Sequence, residues 1–133
     1  MMTLLQPPGW AKPRGFANGI AVKGGTTVYI AGQIGFTGQG ECKEKGFAGQ
    51  FRQTLQNILD VLAQARGRPE HIVRLTWYVL DKAEYLASLK EVGVAYRELM
   101  GRHYPVMAVV QVSALVEDAA RLEIEAIAVV PED

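Results

Sequence analysis

The sequence predicts one α+β domain, a mixed β-sheet with two helices laid on one face, and three observations carry that prediction. Apolar spacing switches between period two and period 3.6 along the chain. Strand-like and helix-like segments follow the order β-β-α-β-α-β-β. Glycine and proline punctuate the junctions between them. The 133 residues suit a single unit over 1–133, long enough to bury a hydrophobic core without disulfide or metal staples.

Residues 1–17 carry Pro7, Pro8, Pro13, Gly9 and Gly15 and are expected to be an irregular lead-in. Ile20–Lys23 and Thr26–Ala31 form two strand patterns, and Gly24-Gly25 between them signals a two-residue hairpin. A glycine-rich loop follows from Gly35 to Gly40. From Phe47, the residues Phe51, Leu55, Ile58, Leu59 and Leu62 recur at helical spacing until Gly67 and Pro69 stop the helix. Ile72–Leu80 alternates Val73, Leu75, Trp77 and Val79 against Arg74, Thr76 and Tyr78. A second helix is expected over Lys82–Met100, with Leu86, Leu89, Val92, Tyr96 and Leu99 as its stripe. Past Pro105 come strands over Val106–Ser113 and Arg121–Val129, the latter setting Leu122, Ile124, Ala126 and Ala128 inward.

With both helices on one sheet face, Tyr29, Tyr78, Met107, Val109, Ile127 and Val129 are expected on the other. An apolar sheet face left uncovered on a small domain predicts oligomerisation.

Composition narrows the function. Hydrophobic residues make up 49% and charged residues 21%, with 14 basic and 14 acidic side chains. The zero net charge and the lack of a basic stripe argue against nucleic acid as the main partner. A single cysteine, Cys42, excludes an internal disulfide, and with only His71 and His103 beside it no metal site is expected. No apolar run reaches the roughly 18 residues a membrane helix needs. The first residues lack the basic and apolar regions of a signal peptide, so a cytoplasmic location is expected.

Four segments in order resemble the Rid (YjgF-like) family. They are Val28-Tyr29-Ile30-Ala31-Gly32-Gln33-Ile34-Gly35, the helical Gln50-x-Arg52-Gln53-x-Leu55-x-Asn57-Ile58, the strand Ile72–Asp81, and Leu122–Val129. The resemblance implies a chorismate-mutase-like fold, trimerised around a central β-barrel, with small-molecule clefts between subunits. It also implies hydrolysis of reactive imines or enamines derived from amino acids to a keto acid and ammonia, with no cofactor. In that chemistry an arginine clamps the substrate carboxylate bidentately, and a carboxylate positions the attacking water.

Carried over position by position, the family's glutamate is retained as Glu123. The arginine expected soon after Pro105 is replaced by Met107, an adaptable apolar side chain without charge. The tyrosine of the family's N-terminal segment becomes Phe16, the serine before Gly32-Gln33 becomes Ala31, and an asparagine of the second helix aligns with Gly93. The resemblance thus places a ligand among Phe16, Ala31, Gly32, Gly93, Pro105 and Met107, with Arg14 beside Phe16 as a further binding candidate and Glu123 as the catalytic group. The pocket is more apolar than the family's, so turnover of ordinary 2-imino acids is expected to be weak or absent. Arg14, Arg102 and His103 are candidates for a substitute clamp, and a solvated loop charge is the plainer reading of each.

Glu123 has its own plainer reading, a wall carboxylate bonded to an amide or to Arg74 or Arg121. Gln111, by parity with Met107, is expected to line the barrel as an interface amide. Trp77 and Tyr78 are expected as core or interface aromatics. Cys42 is expected to be an inert thiol and His71 a surface residue. Two functions remain: water addition to an imine or related C–N compound at an intersubunit cleft, or a non-catalytic trimer that binds a small molecule or a protein.

Overall fold

The computed structural model describes residues 2–132. In chain order the elements are β1 (Met2–Leu5), β2 (Gly19–Val22), β3 (Thr26–Ile34), α1 (Phe47–Ala63), β4 (Ile72–Val79), α2 (Lys82–Ala87), α3 (Leu89–Met100), β5 (Val106–Gln111) and β6 (Leu122–Val130). Four strands form the main sheet in the order β3-β6-β4-β5, with β4 and β5 parallel and the other pairs antiparallel. The parallel pair requires a crossover, and α2 and α3 supply it. α1 packs on β3 and β6, α3 packs beside α1, and both long helices lie on one face as expected.

The alternation written into β6 is realised. Leu122, Ile124 and Ala128 are fully buried beneath the helices, and Glu123, Glu125, Ile127 and Val129 occupy the opposite face. α1 buries Phe51, Leu55, Ile58 and Leu62 at three- and four-residue spacing. Phe51 stacks on Trp77 with ring centroids 4.9 Å apart, and Tyr85 meets Trp77 edge-on at 5.9 Å. Trp77 is thus a core aromatic. α1 ends where Leu62 O accepts from Gly67 N–H (3.0 Å), with Arg66 in the left-handed region at φ 60°.

Five expectations change. The lead-in is not wholly irregular, because Met2–Leu5 pairs with β2 in a separate two-stranded sheet. β2 and β3 therefore form no hairpin. Gly24 and Gly25 have φ of 74° and 82°, but the chain turns a corner between two sheets there. A Cβ on Gly25 would lie 2.7 Å from Val129 Cγ1, so close approach to β6 also demands glycine.

A bulge in β4 between Ile72 and Arg74 sends Ile72 into the core in place of Val73. The second helix is broken at Ser88, whose Oγ donates back to Glu84 O at 2.8 Å. The break leaves Leu86 and Leu89 about half exposed, 50% and 46%, while Tyr85 packs inward.

Finally, β5 pairs Met107 with Leu75 and Val109 with Trp77, so both lie on the helix side of the sheet. Their expected face is taken by Ala108 and Val110, in register with Thr76 and Tyr78. Parity places Gln111 on the helix side as well, where its Oε1 accepts from Lys82 N at 2.7 Å.

Asp81 completes that helix start: its Oδ1 accepts from Ala83 N at 2.9 Å and Glu84 N at 3.4 Å. Asp81→Ala is expected to destabilise the protein by about 1 kcal/mol. Urea unfolding would show this as a lower midpoint at unchanged slope; an unmoved midpoint would show that Gln111 alone suffices to cap α2.

Candidate functional site

The N-terminal segment is fastened to the start of β5 by a backbone bond, Ala17 N–H to Pro105 O at 3.1 Å. This bond carries Phe16 to the neighbourhood of Met107, and both line one cleft of about 410 Å³. Its floor is β4 and β5, through Trp77, Met107 and Val109; α2 and α3 form the wall. Arg14, Phe16, Gly93 and Met107, singled out from the sequence, therefore share one cavity. Pro105 is buried beside it and acts as the anchor rather than a lining group.

The cavity is aromatic on several sides. Tyr96 and Tyr104 stack in parallel at 5.3 Å, and Tyr96 Oη donates to His103 O at 2.5 Å. Burial holds the phenols of Tyr85 and Tyr96 above the usual tyrosine range, so both remain neutral at physiological pH. Trp77 Nε1–H is buried without a partner among the described residues.

Arg97 also lines the cleft and was not anticipated. Its position was accessible to sequence reasoning, because it lies four residues after Gly93 and so on the same helix face. Arg102 and His103 lie outside, in a neighbouring groove with Trp10 and Lys12. His103 Nε2 sits 2.6 Å from Ile72 O, a contact that ties the end of α3 to β4.

Glu123, Ala31 and Gly32 lie elsewhere. Glu123 is in register with Tyr78 and Ile34, on the sheet face away from the helices. Its carboxylate rests against Gly32, where any Cβ would overlap it. The plainer reading offered Arg74 or Arg121 as its partner. Arg121 instead binds Glu84, with Nε to Oε1 at 3.0 Å, and Arg74 Nε reaches Thr76 Oγ1 at 3.4 Å. Among the described residues nothing donates a hydrogen bond to Glu123.

Glu125, two residues on, accepts from Tyr78 Oη at 3.1 Å, which holds that phenol above its ordinary range. Ala31 borders a second cavity, of about 530 Å³, with Tyr29, Arg74 and Glu125.

The sheet itself thus separates the two groups. Met107 and its cleft are on the helix side and Glu123 is on the open side, so one chain cannot bring both to a single ligand.

This architecture, with two long helices on one face of a mixed sheet, is the chorismate-mutase-like fold of the Rid proteins. The chain matches the endoribonuclease L-PSP family over residues 13–130, and it belongs to that family. It is 36% identical over 109 residues to a RutC family protein of Pyrococcus horikoshii, covering 81% of this chain and 82% of that one. A Rid-family protein of unknown function from Yersinia pestis superposes with a TM-score of 0.86 at 27% identity, over 97% and 98% of the two chains. RidA from an Antarctic Psychrobacter superposes with a TM-score of 0.68 at 30% identity, over 90% and 92%.

Proposed function

We propose that the protein adds water to a small-molecule imine, enamine or related C–N compound, at a cleft assembled between copies of this chain. The observation that carries this reading is Glu123: a carboxylate that accepts no hydrogen bond from any described residue, partly exposed and held against a glycine. A carboxylate in that state can accept a proton from water as the water attacks an imine carbon. The resulting carbinolamine collapses to a carbonyl compound and ammonia, and no metal or organic cofactor takes part.

Because Glu123 and the Met107 cleft lie on opposite faces of one sheet, a complete site needs Glu123 from one subunit and the cleft from another. In a homotrimer that packs the open faces together, where Tyr29 is 78% exposed and β5 offers Val110, the two would meet across the seam between neighbouring subunits. Zero net charge gives no support to RNA as the substrate.

Met107 occupies the position of the family's carboxylate clamp, so short 2-imino acids lose their bidentate contact. With freshly generated 2-iminobutanoate, the wild-type protein is expected to accelerate hydrolysis little, and Met107→Arg to raise the rate about tenfold or more. Rapid wild-type turnover of 2-iminobutanoate would refute the loss of the clamp. An inert Met107→Arg trimer, folded and with Glu123 intact, would favour the second reading, a binding module without catalysis. The aromatic cleft itself is the observation that keeps this alternative in view.

A further inference from the structure

The cleft bounded by Phe16, Met107 and α3 is lined by two arginines, Arg14 and Arg97, and by no acidic residue among those described. The ion pairs of the described residues engage other arginines: Arg52 with Glu98, Arg68 with Glu70 and Arg121 with Glu84. Among the described residues Arg14 and Arg97 therefore have no acidic partner, and both line a largely aromatic cavity.

The helix geometry explains how Arg97 comes to serve this cavity. Helical side chains lean toward the N-terminus and cover the preceding turn. For Arg97 that turn contains Gly93, which has no side chain, and a Cβ built there would meet nothing within 4 Å. An arginine can extend over the vacant turn and present its fork to the cleft. Arg97 thus offers the cleft a cation from α3 rather than from β5, which carries Met107.

The rest of the lining indicates what else a ligand carries. Phe16, Trp77, Tyr85 and Tyr104 enclose a volume of about 410 Å³, room for a ring and its substituents. The Tyr85 and Tyr104 hydroxyls have no hydrogen-bond partner among the described residues, so each can still donate.

We propose that this cleft binds a carboxylate carrying an aromatic side chain, with Arg97 and Arg14 holding the carboxylate and the aromatic walls holding the ring. The inference rests on the reading of this cavity as the ligand site, and it assigns that site a substrate class: aromatic rather than short aliphatic imino acids. A carboxylate held from α3 is displaced from the Met107 position, and only a bulkier ligand fills the space left behind. Arg97 is a specificity-determining residue in this scheme and plays no part in bond breaking.

Titration calorimetry with 3-phenylpropanoate, 3-phenylpropanamide and propanoate separates the contributions of charge and ring. The phenyl acid is expected to bind at least about tenfold more tightly than either the amide or the short acid. Arg97→Gln should weaken the phenyl acid about tenfold and leave the amide unchanged, and Arg102→Gln, in the neighbouring groove, should alter neither. Arg97 is exposed on α3, so the variant is expected to fold, and circular dichroism would verify it. Equal affinity for propanoate and 3-phenylpropanoate, no saturable binding of the phenyl acid, or an Arg97→Gln affinity within twofold of wild type would each overturn the assignment. Imine turnover without 3-phenylpropanoate binding would overturn this inference alone. Equal binding of 3-phenylpropanoate by the wild-type and Glu123→Gln proteins, without turnover of any imine, would overturn the hydrolase reading and uphold this one.

Discussion

Replacing Gln50 with leucine is expected to cost about 3 kcal/mol of stability, the largest effect of any single polar substitution in this protein. Gln50 lies on α1 and is 1% exposed. Its Nε2 donates to Glu44 O at 3.0 Å and to Ala119 O at 2.9 Å, and its Oε1 accepts from Arg121 N at 2.7 Å. One amide therefore joins the loop before α1 to the turn that leads into β6. Leucine matches its size and satisfies none of these backbone groups, and each polar group buried without a partner costs about 1–3 kcal/mol.

The site has little freedom to relax. A Cβ on Gly35 would come within 2.7 Å of Gln50 Cα, so the end of β3 already presses on this turn of α1. Thermal unfolding should fall by about 10 °C for a domain of this length. A fall of less than about 3 °C would show that water replaces the amide, and the network would then be structurally dispensable.

Glu123→Gln is expected to lower turnover of whatever imine the protein accepts by about a hundredfold or more, the usual range for losing a general base. Glutamine keeps the shape that lies against Gly32 but cannot take a proton from water. Ligand affinity should persist, because glutamine matches glutamate in size and the proposed ligand contacts come from the aromatic cleft. The decisive measurement is a split between kcat and KM: a fall in kcat at constant KM assigns the carboxylate to the chemical step. Activity within twofold of wild type would remove Glu123 from the mechanism and leave a barrel-wall role.

Much of the fold was legible in the sequence because its signals are local. The alternation in β6 and the spacing of Phe51, Leu55, Ile58 and Leu62 follow from side-chain direction in strands and helices. Each segment must bury those positions whatever lies opposite. Gly24-Gly25 was legible as a place of positive φ and misleading as a hairpin. Turn chemistry states how the chain bends, whereas pairing depends on which strand arrives alongside; β1 took β2, and β6 took β3. The break at Ser88 and the bulge after Ile72 were likewise invisible. Both answer to packing against other elements, Tyr85 on Trp77 in the first case and the register of β6 in the second.

The sequence by itself determined the fold class, and its family resemblance proposed Met107 in place of a cation and Glu123 as the retained acid. Those are matters of residue identity and short-range order. Only the tertiary structure decided that Met107 faces the helices while Glu123 faces away, that Arg102 lies outside the cleft, and that Arg97 lines it. Sheet parity is the physical reason. One residue of register moves a side chain to the opposite face of the sheet, and register is set by partner strands far away in the chain.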